Sequence, residues 1–97
     1  MKSTKKFVVV VYDIASTKRR SSIAELLQRY GVRVNLSVFE CMLTDGQLES
    51  LKQTAAAVIN PKKDKMIYYV LCLNCYTKIC RQPENIEHPS AGAVSVV

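Results

Sequence analysis

Glycine and proline are scarce, with three of each in 97 residues, about half of the roughly twelve that average composition provides. That scarcity excludes a collagen-like chain and argues against a many-turned β-sandwich, leaving long elements joined by few turns. Long apolar runs are missing as well. The longest, residues 7–12, falls far short of the ~20 needed to span a bilayer. It also starts too close to Met1 for the apolar core and cleavage site of a signal peptide. The expectation is a soluble, cytoplasmic protein with no membrane partner. There is no internal repeat and no low-complexity segment. Acidic residues are outnumbered, eight Asp+Glu against fourteen Lys+Arg, and the net charge of +6 favours polyanionic partners through long-range attraction.

What is present suits one domain. With 48% hydrophobic and 23% charged residues, the chain can bury one modest core, read here as residues 1–81 with a partner-facing tail over 82–97. Residues 7–12 (Phe-Val-Val-Val-Val-Tyr) lack alternation, the pattern of a central strand buried on both faces. Ile23, Leu26, Leu27 and Tyr30 then recur at helical spacing, predicting a helix over about 17–30 that ends at Gly31. From Val32 to Cys41 the chain alternates. This places Val32, Val34, Leu36 and Val38 toward the helices and Arg33, Asn35, Ser37 and Phe39 on the other face. Thr44 and Gln47 have capping-box spacing ahead of a stripe of Leu48, Leu51, Ala55, Val58 and Ile59, and Pro61 stops that second helix. Residues 66–73 are apolar with two tyrosines, a strand covered on both sides or lying in an interface. The order β-α-β-α-β, with room for a hairpin within 33–43, fits an α+β, ferredoxin-like βαββαβ sandwich, although no Gly or Pro marks the hairpin.

The residues that carry chemistry are few. Asp13 ends the first strand, where a lone carboxylate is either solvated, a cap on the next turn, or bound to metal. Lys18, Arg19 and Arg20 open the first helix, where cations oppose the helix dipole unless an anion compensates, and a phosphate is such an anion. Tyr12 and Phe39 offer aromatic faces for stacking on bases, though aromatics in strands are commonly core. Arg33, beside Asn35 and Ser37, reaches either a phosphate or a carboxylate. Lys62, Lys63 and Lys65 form a second basic cluster that reads equally as a solvated loop. Cys72 and Cys75 form a C-x-x-C, half of a zinc-ribbon pattern, but Cys41 and Cys80 do not make the second pair. A continuing strand would point the two thiols to opposite faces. Four buried, reduced thiols are therefore the expectation.

The segments Val10-Val11-Tyr12-Asp13-Ile14, Lys18-Arg19-Arg20, Leu26-Leu27, Tyr30-Gly31-Val32-Arg33-Val34 and Ser37-Val38-Phe39-Glu40-Cys41 resemble, in order and spacing, the CRISPR-associated Cas-two family. That family provides the small subunit of the spacer-acquisition complex. The resemblance covers about residues 7–73. Asn35 stands where members commonly carry Gln, and residues 74–97 match no family pattern. The resemblance implies a homodimer in which an extra C-terminal strand, here the apolar 93–97, adds to the partner's sheet. It implies a duplex-DNA-binding scaffold for the CRISPR integrase subunit, or alternatively a metal-dependent endonuclease acting on RNA or DNA. Asp13 would then be the catalytic and metal-binding residue, with Mg²⁺ bridging the two protomers. Tyr12, Lys18, Arg19, Arg20, Arg33, Ser37 and Phe39 would be the nucleic-acid-binding set. Without the family, a ferredoxin-like RNA-binding module is the remaining reading, and it lacks the expected aromatic pair on central strands.

Overall fold

The structure, a computed structural model, describes residues 4–82. The tail expected to reach a partner's sheet lies outside the described residues. Four strands form one antiparallel sheet: β1 (Lys6–Asp13), β2 (Gly31–Asn35), β3 (Val38–Leu43) and β4 (Lys65–Leu71), in the order β2-β3-β1-β4. Two helices, α1 (Thr17–Gln28) and α2 (Asp45–Val58), connect them, and a single turn, α3 (Leu73–Tyr76), follows β4. The βαββαβ order and this strand arrangement are those of a ferredoxin-like α+β domain.

Local signals explain the helix ends. Ser16 caps α1 by accepting the Arg19 N–H at 3.3 Å. Thr44 and Gln47 make the reciprocal capping box expected of α2, satisfying two otherwise orphaned donors. The buried stripes Ile23, Leu26, Leu27 and Leu48, Leu51, Ala55 then lie against one face of the sheet, over Val8, Val10, Tyr12, Phe39, Cys41 and Leu43. Each large side chain fully buried here contributes roughly 1.5–3 kcal/mol before entropy is counted.

The hairpin exists, and it reverses the expected facing. Leu36 and Ser37 make a two-residue turn, with the Leu36 N–H donating to Asn35 Oδ1 at 2.7 Å, and a bulge separates Arg33 from Asn35. Phe39 is opposite Arg33 and shares its face, as expected, but that face is the one under the helices: Phe39 is 0% and Leu36 79% exposed. Val32 pairs with Glu40 on the opposite, outer face. The aromatic ring, Cys41 and Leu43 offer the helices more apolar surface than Val32 and Val34, so the whole alternation takes the opposite facing, and the bulge turns only Asn35, opposite Val38, to the outer face.

Among the described residues, the outer face of the sheet is only partly covered. Phe7 is buried there beneath α3, its ring 5.0 Å from that of Tyr76, and Glu40 pairs with Arg81. Ile67, Tyr69 and Leu71 of the edge strand β4 remain exposed, opposite Val11, Val9 and Phe7 of β1. Of the two readings for residues 66–73, coverage on both sides is therefore not provided by the described residues.

Candidate nucleic-acid interface

The antiparallel topology brings together, at one end of the sheet, segments far apart in sequence. These are the C-terminus of β1, the β2–β3 turn, the start of α1 and the loop entering β4. Asp13 lies opposite Lys65 in the β1–β4 register, and the Tyr12 N–H donates to the Ser37 carbonyl at 3.1 Å. Lys18, Arg20, Arg33, Lys62, Lys63 and Lys65 are all exposed around this end, and none of them forms a salt bridge among the described residues.

Asp13 is exposed, on the outer face of the sheet beside Val11, and its carboxylate makes no hydrogen bond or ion pair among the described residues. The capping alternative falls to Ser16, which holds the N-terminus of α1. As a hard oxygen donor open to water, Asp13 fits a cation such as Mg²⁺ that retains most of its water, with one carboxylate per chain. No group of three or more His, Cys, Asp or Glu suited to a metal occurs among the described residues.

The first-turn cations of α1 do have a compensating anion, supplied by the chain itself. Asp64, with its side chain fully buried, accepts from Arg19 Nε at 2.7 Å, Arg19 Nη2 at 3.1 Å, Ala15 N at 3.0 Å and Asn60 N at 2.8 Å. The hydrogen bonds from Arg19 hold the Asp64 carboxyl well below the usual carboxylate range, and the same pair raises Arg19. Asp64 thus clamps the loop after Asp13 to the start of α1. The sequence reading missed it. Its one signal was a single acid in a run of lysines just after Asn60-Pro61. Arg20 Nε donates to the Ile14 carbonyl at 3.3 Å, leaving an exposed side chain, and Lys18 is exposed.

Tyr12 and Phe39 are core residues, 3% and 0% exposed, with ring centroids 6.3 Å apart. Neither ring presents a face to a base in this fold, because both lie beneath the helices. They position Arg33 instead. Its guanidinium lies 5.5 Å above the Phe39 ring, and Nη2 is 3.5 Å from the Tyr12 hydroxyl, which itself donates to the Leu36 carbonyl at 3.0 Å. Ser37 is half-buried in the turn.

The thiols are not all buried. Cys41 is, and burial, with the nearby Glu40 charge, pushes its thiol up to about 12. Cys72, Cys75 and Cys80 are exposed. β4 ends at Leu71, so Cys72 and Cys75 do not continue a strand.

Comparison with known proteins agrees with this architecture. Residues 6–79 match the family described as CRISPR associated protein Cas2, so the match runs past residue 73, where the motifs read from the sequence ended. A CRISPR-associated endoribonuclease Cas2 of Rhodospirillum rubrum is 33% identical over 84% of this chain and 65% of its own length. A CRISPR-associated endonuclease Cas2 of Halalkalibacterium halodurans is 39% identical over 74% of this chain and 80% of its own length. The crystal structure of Streptococcus pyogenes Cas2 superposes with a TM-score of 0.71 at 31% identity, covering 77% of this chain and 96% of that one. The chain spans just under two thirds of the Rhodospirillum relative. No helix among the described residues is long and apolar enough to cross a membrane. The sequence match, the strand order and the superposition agree, and the chain belongs to the Cas2 family.

Proposed function

We propose that this protein is a CRISPR adaptation protein that works as a homodimer, binding duplex DNA and serving as a scaffold for the integrase subunit. The observation that carries this is the gathering of exposed cations from four separate segments at one end of the sheet, a footprint suited to a phosphate backbone rather than to base edges. Lys18, Arg20 and Arg33 are the contact residues, with Ser37 at the turn between them. Arg19 acts through Asp64 to hold the start of α1 in place. The exposed Ile67, Tyr69 and Leu71 support a second copy covering the outer face.

A second reading, a metal-dependent endonuclease acting on RNA or DNA, is favoured by the free Asp13 carboxylate and by the names endoribonuclease and endonuclease carried by the relatives. Asp13 lies on the outer face, so a twofold axis through that face would bring two copies of Asp13 together. The paired carboxylates would hold Mg²⁺, which when bound supplies an activated water and a clamp on the phosphodiester. The chain's own contribution is to keep Asp13 open to solvent and its loop rigid through Asp64.

One experiment separates the readings. Wild type and Asp13→Ala are compared for sedimentation, duplex affinity, co-purification with the neighbouring integrase, and cleavage across a Mg²⁺ titration. The scaffold reading expects dimers, integrase association and duplex affinity near wild type, or slightly tighter once a charge that repels phosphate is gone, with cleavage weak or absent throughout. Mg²⁺-dependent cleavage by wild type that disappears in Asp13→Ala establishes the enzyme reading. Cleavage that survives the substitution removes the metal assignment, and a folded monomer at micromolar concentration removes the dimer.

A further inference from the structure

The chain after β4 carries a site that none of the nucleic-acid chemistry uses. β4 ends at Leu71, and Cys72 takes up extended backbone angles (φ −76°, ψ 163°) as the residue that starts α3. The change from strand to helical turn cancels the divergence that a continuing strand would impose on a spacing of three. The two sulfurs lie 3.4 Å apart, and the Cys75 N–H donates to Cys72 Sγ, also at 3.4 Å. Both residues are exposed.

We propose that Cys72 and Cys75 form a redox-active dithiol site whose substrates are low-molecular-weight disulfides, and that it closes to an intramolecular disulfide at the root of the segment covering the outer sheet face. The roles of the two sulfurs differ. The hydrogen bond from the Cys75 backbone N–H lowers the Cys72 thiol from its ordinary value, whereas the neighbouring Cys72 sulfur raises Cys75. Cys72 is therefore the attacking thiolate. It forms a bond to one sulfur of the disulfide, whose S–S bond breaks, and the departing thiolate takes a proton from water. Cys75 then loses its proton to solvent and attacks Cys72 Sγ, displacing the second small thiol. Two cysteine thiols are oxidised and one disulfide is reduced to two thiols. Tyr76, directly after Cys75, packs on Phe7, so the closed form ties this cover to the end of β4.

The test equilibrates the full chain with mixtures of reduced and oxidised glutathione, followed by acid quench, alkylation and peptide mass spectrometry. The expected product lacks two hydrogens and links Cys72 to Cys75. Cys75→Ser should stall at a Cys72–glutathione mixed disulfide, and Cys80→Ser should behave as wild type. Under limiting iodoacetamide at pH 7, Cys72 should react at least ~10-fold faster than Cys80, as expected for a thiol of lowered pKa, while Cys41 stays unmodified. The proposal is overturned if both cysteines carry separate glutathiones, if Cys80 enters the disulfide as readily as Cys75, or if urea-unfolded chain closes the bond as readily as folded chain.

Discussion

At the residue scale, Asp64 and Gly31 show how much depends on single positions. Asp64 anchors the loop after Asp13, the first turn of α1 and the entry to β4 through one carboxylate. Its folded-state pKa lies below the ordinary value near 3.9, so the stability it contributes is complete at neutral pH. That contribution begins to fall only below about pH 4 and is lost as the pH drops through the folded value. Asp64→Asn should lower the urea midpoint at pH 7 and weaken its dependence on pH below about 4, measured by urea titrations across that range. At Gly31 an added Cβ would meet the Glu40 carbonyl oxygen and Cys41 Sγ, with Cys41 Cα at 2.9 Å. Backbone and a buried thiol cannot move aside cheaply. Gly31→Ala should therefore cost about 1–3 kcal/mol, read from denaturant unfolding.

At the scale of elements, capping and edge chemistry decide the outcome. The α2 capping box is complete and exposed, so Thr44→Ala should cost about 1 kcal/mol and leave the α2 packing intact, which thermal melting and far-ultraviolet circular dichroism can check. The α1 stripe and the α2 box were legible because both signals lie within a turn or two of chain. The hairpin was harder. Asn35, not a Gly or Pro, marks its turn, and an alternating pattern does not by itself say which of its two faces lies under the helices. The end of β4 was hidden for a related reason, since apolar residues run on through Leu73 although the backbone turns at Cys72.

For the whole molecule, charge and uncovered surface point to assembly. The net charge is +6, and the fold brings Lys18, Arg20 and Arg33 to one sheet end, where they form no ion pair among the described residues. If these three contact phosphates, each alanine substitution should reduce the slope of log affinity against log salt by about 0.9, equally on unrelated duplexes. Arg19→Ala should change stability more than slope, because its guanidinium is engaged with Asp64. Filter-binding titrations between low and moderate salt measure both, and unchanged slopes would make the three cations ordinary surface charge.

Local pattern was enough for the central strand, both helices, the α2 capping box and the basic character of the molecule, because each depends on residues within a few positions of one another. Tertiary structure alone decided the rest. The Arg19–Asp64 clamp joins residues 45 apart, and Arg33 reaches Tyr12 across 21. Which face of β3 lies under the helices, and where Tyr12 and Phe39 end up, was set by competition for one core. The meeting of Cys72 with Cys75 likewise required the chain to leave its strand, a backbone decision that apolar composition does not record.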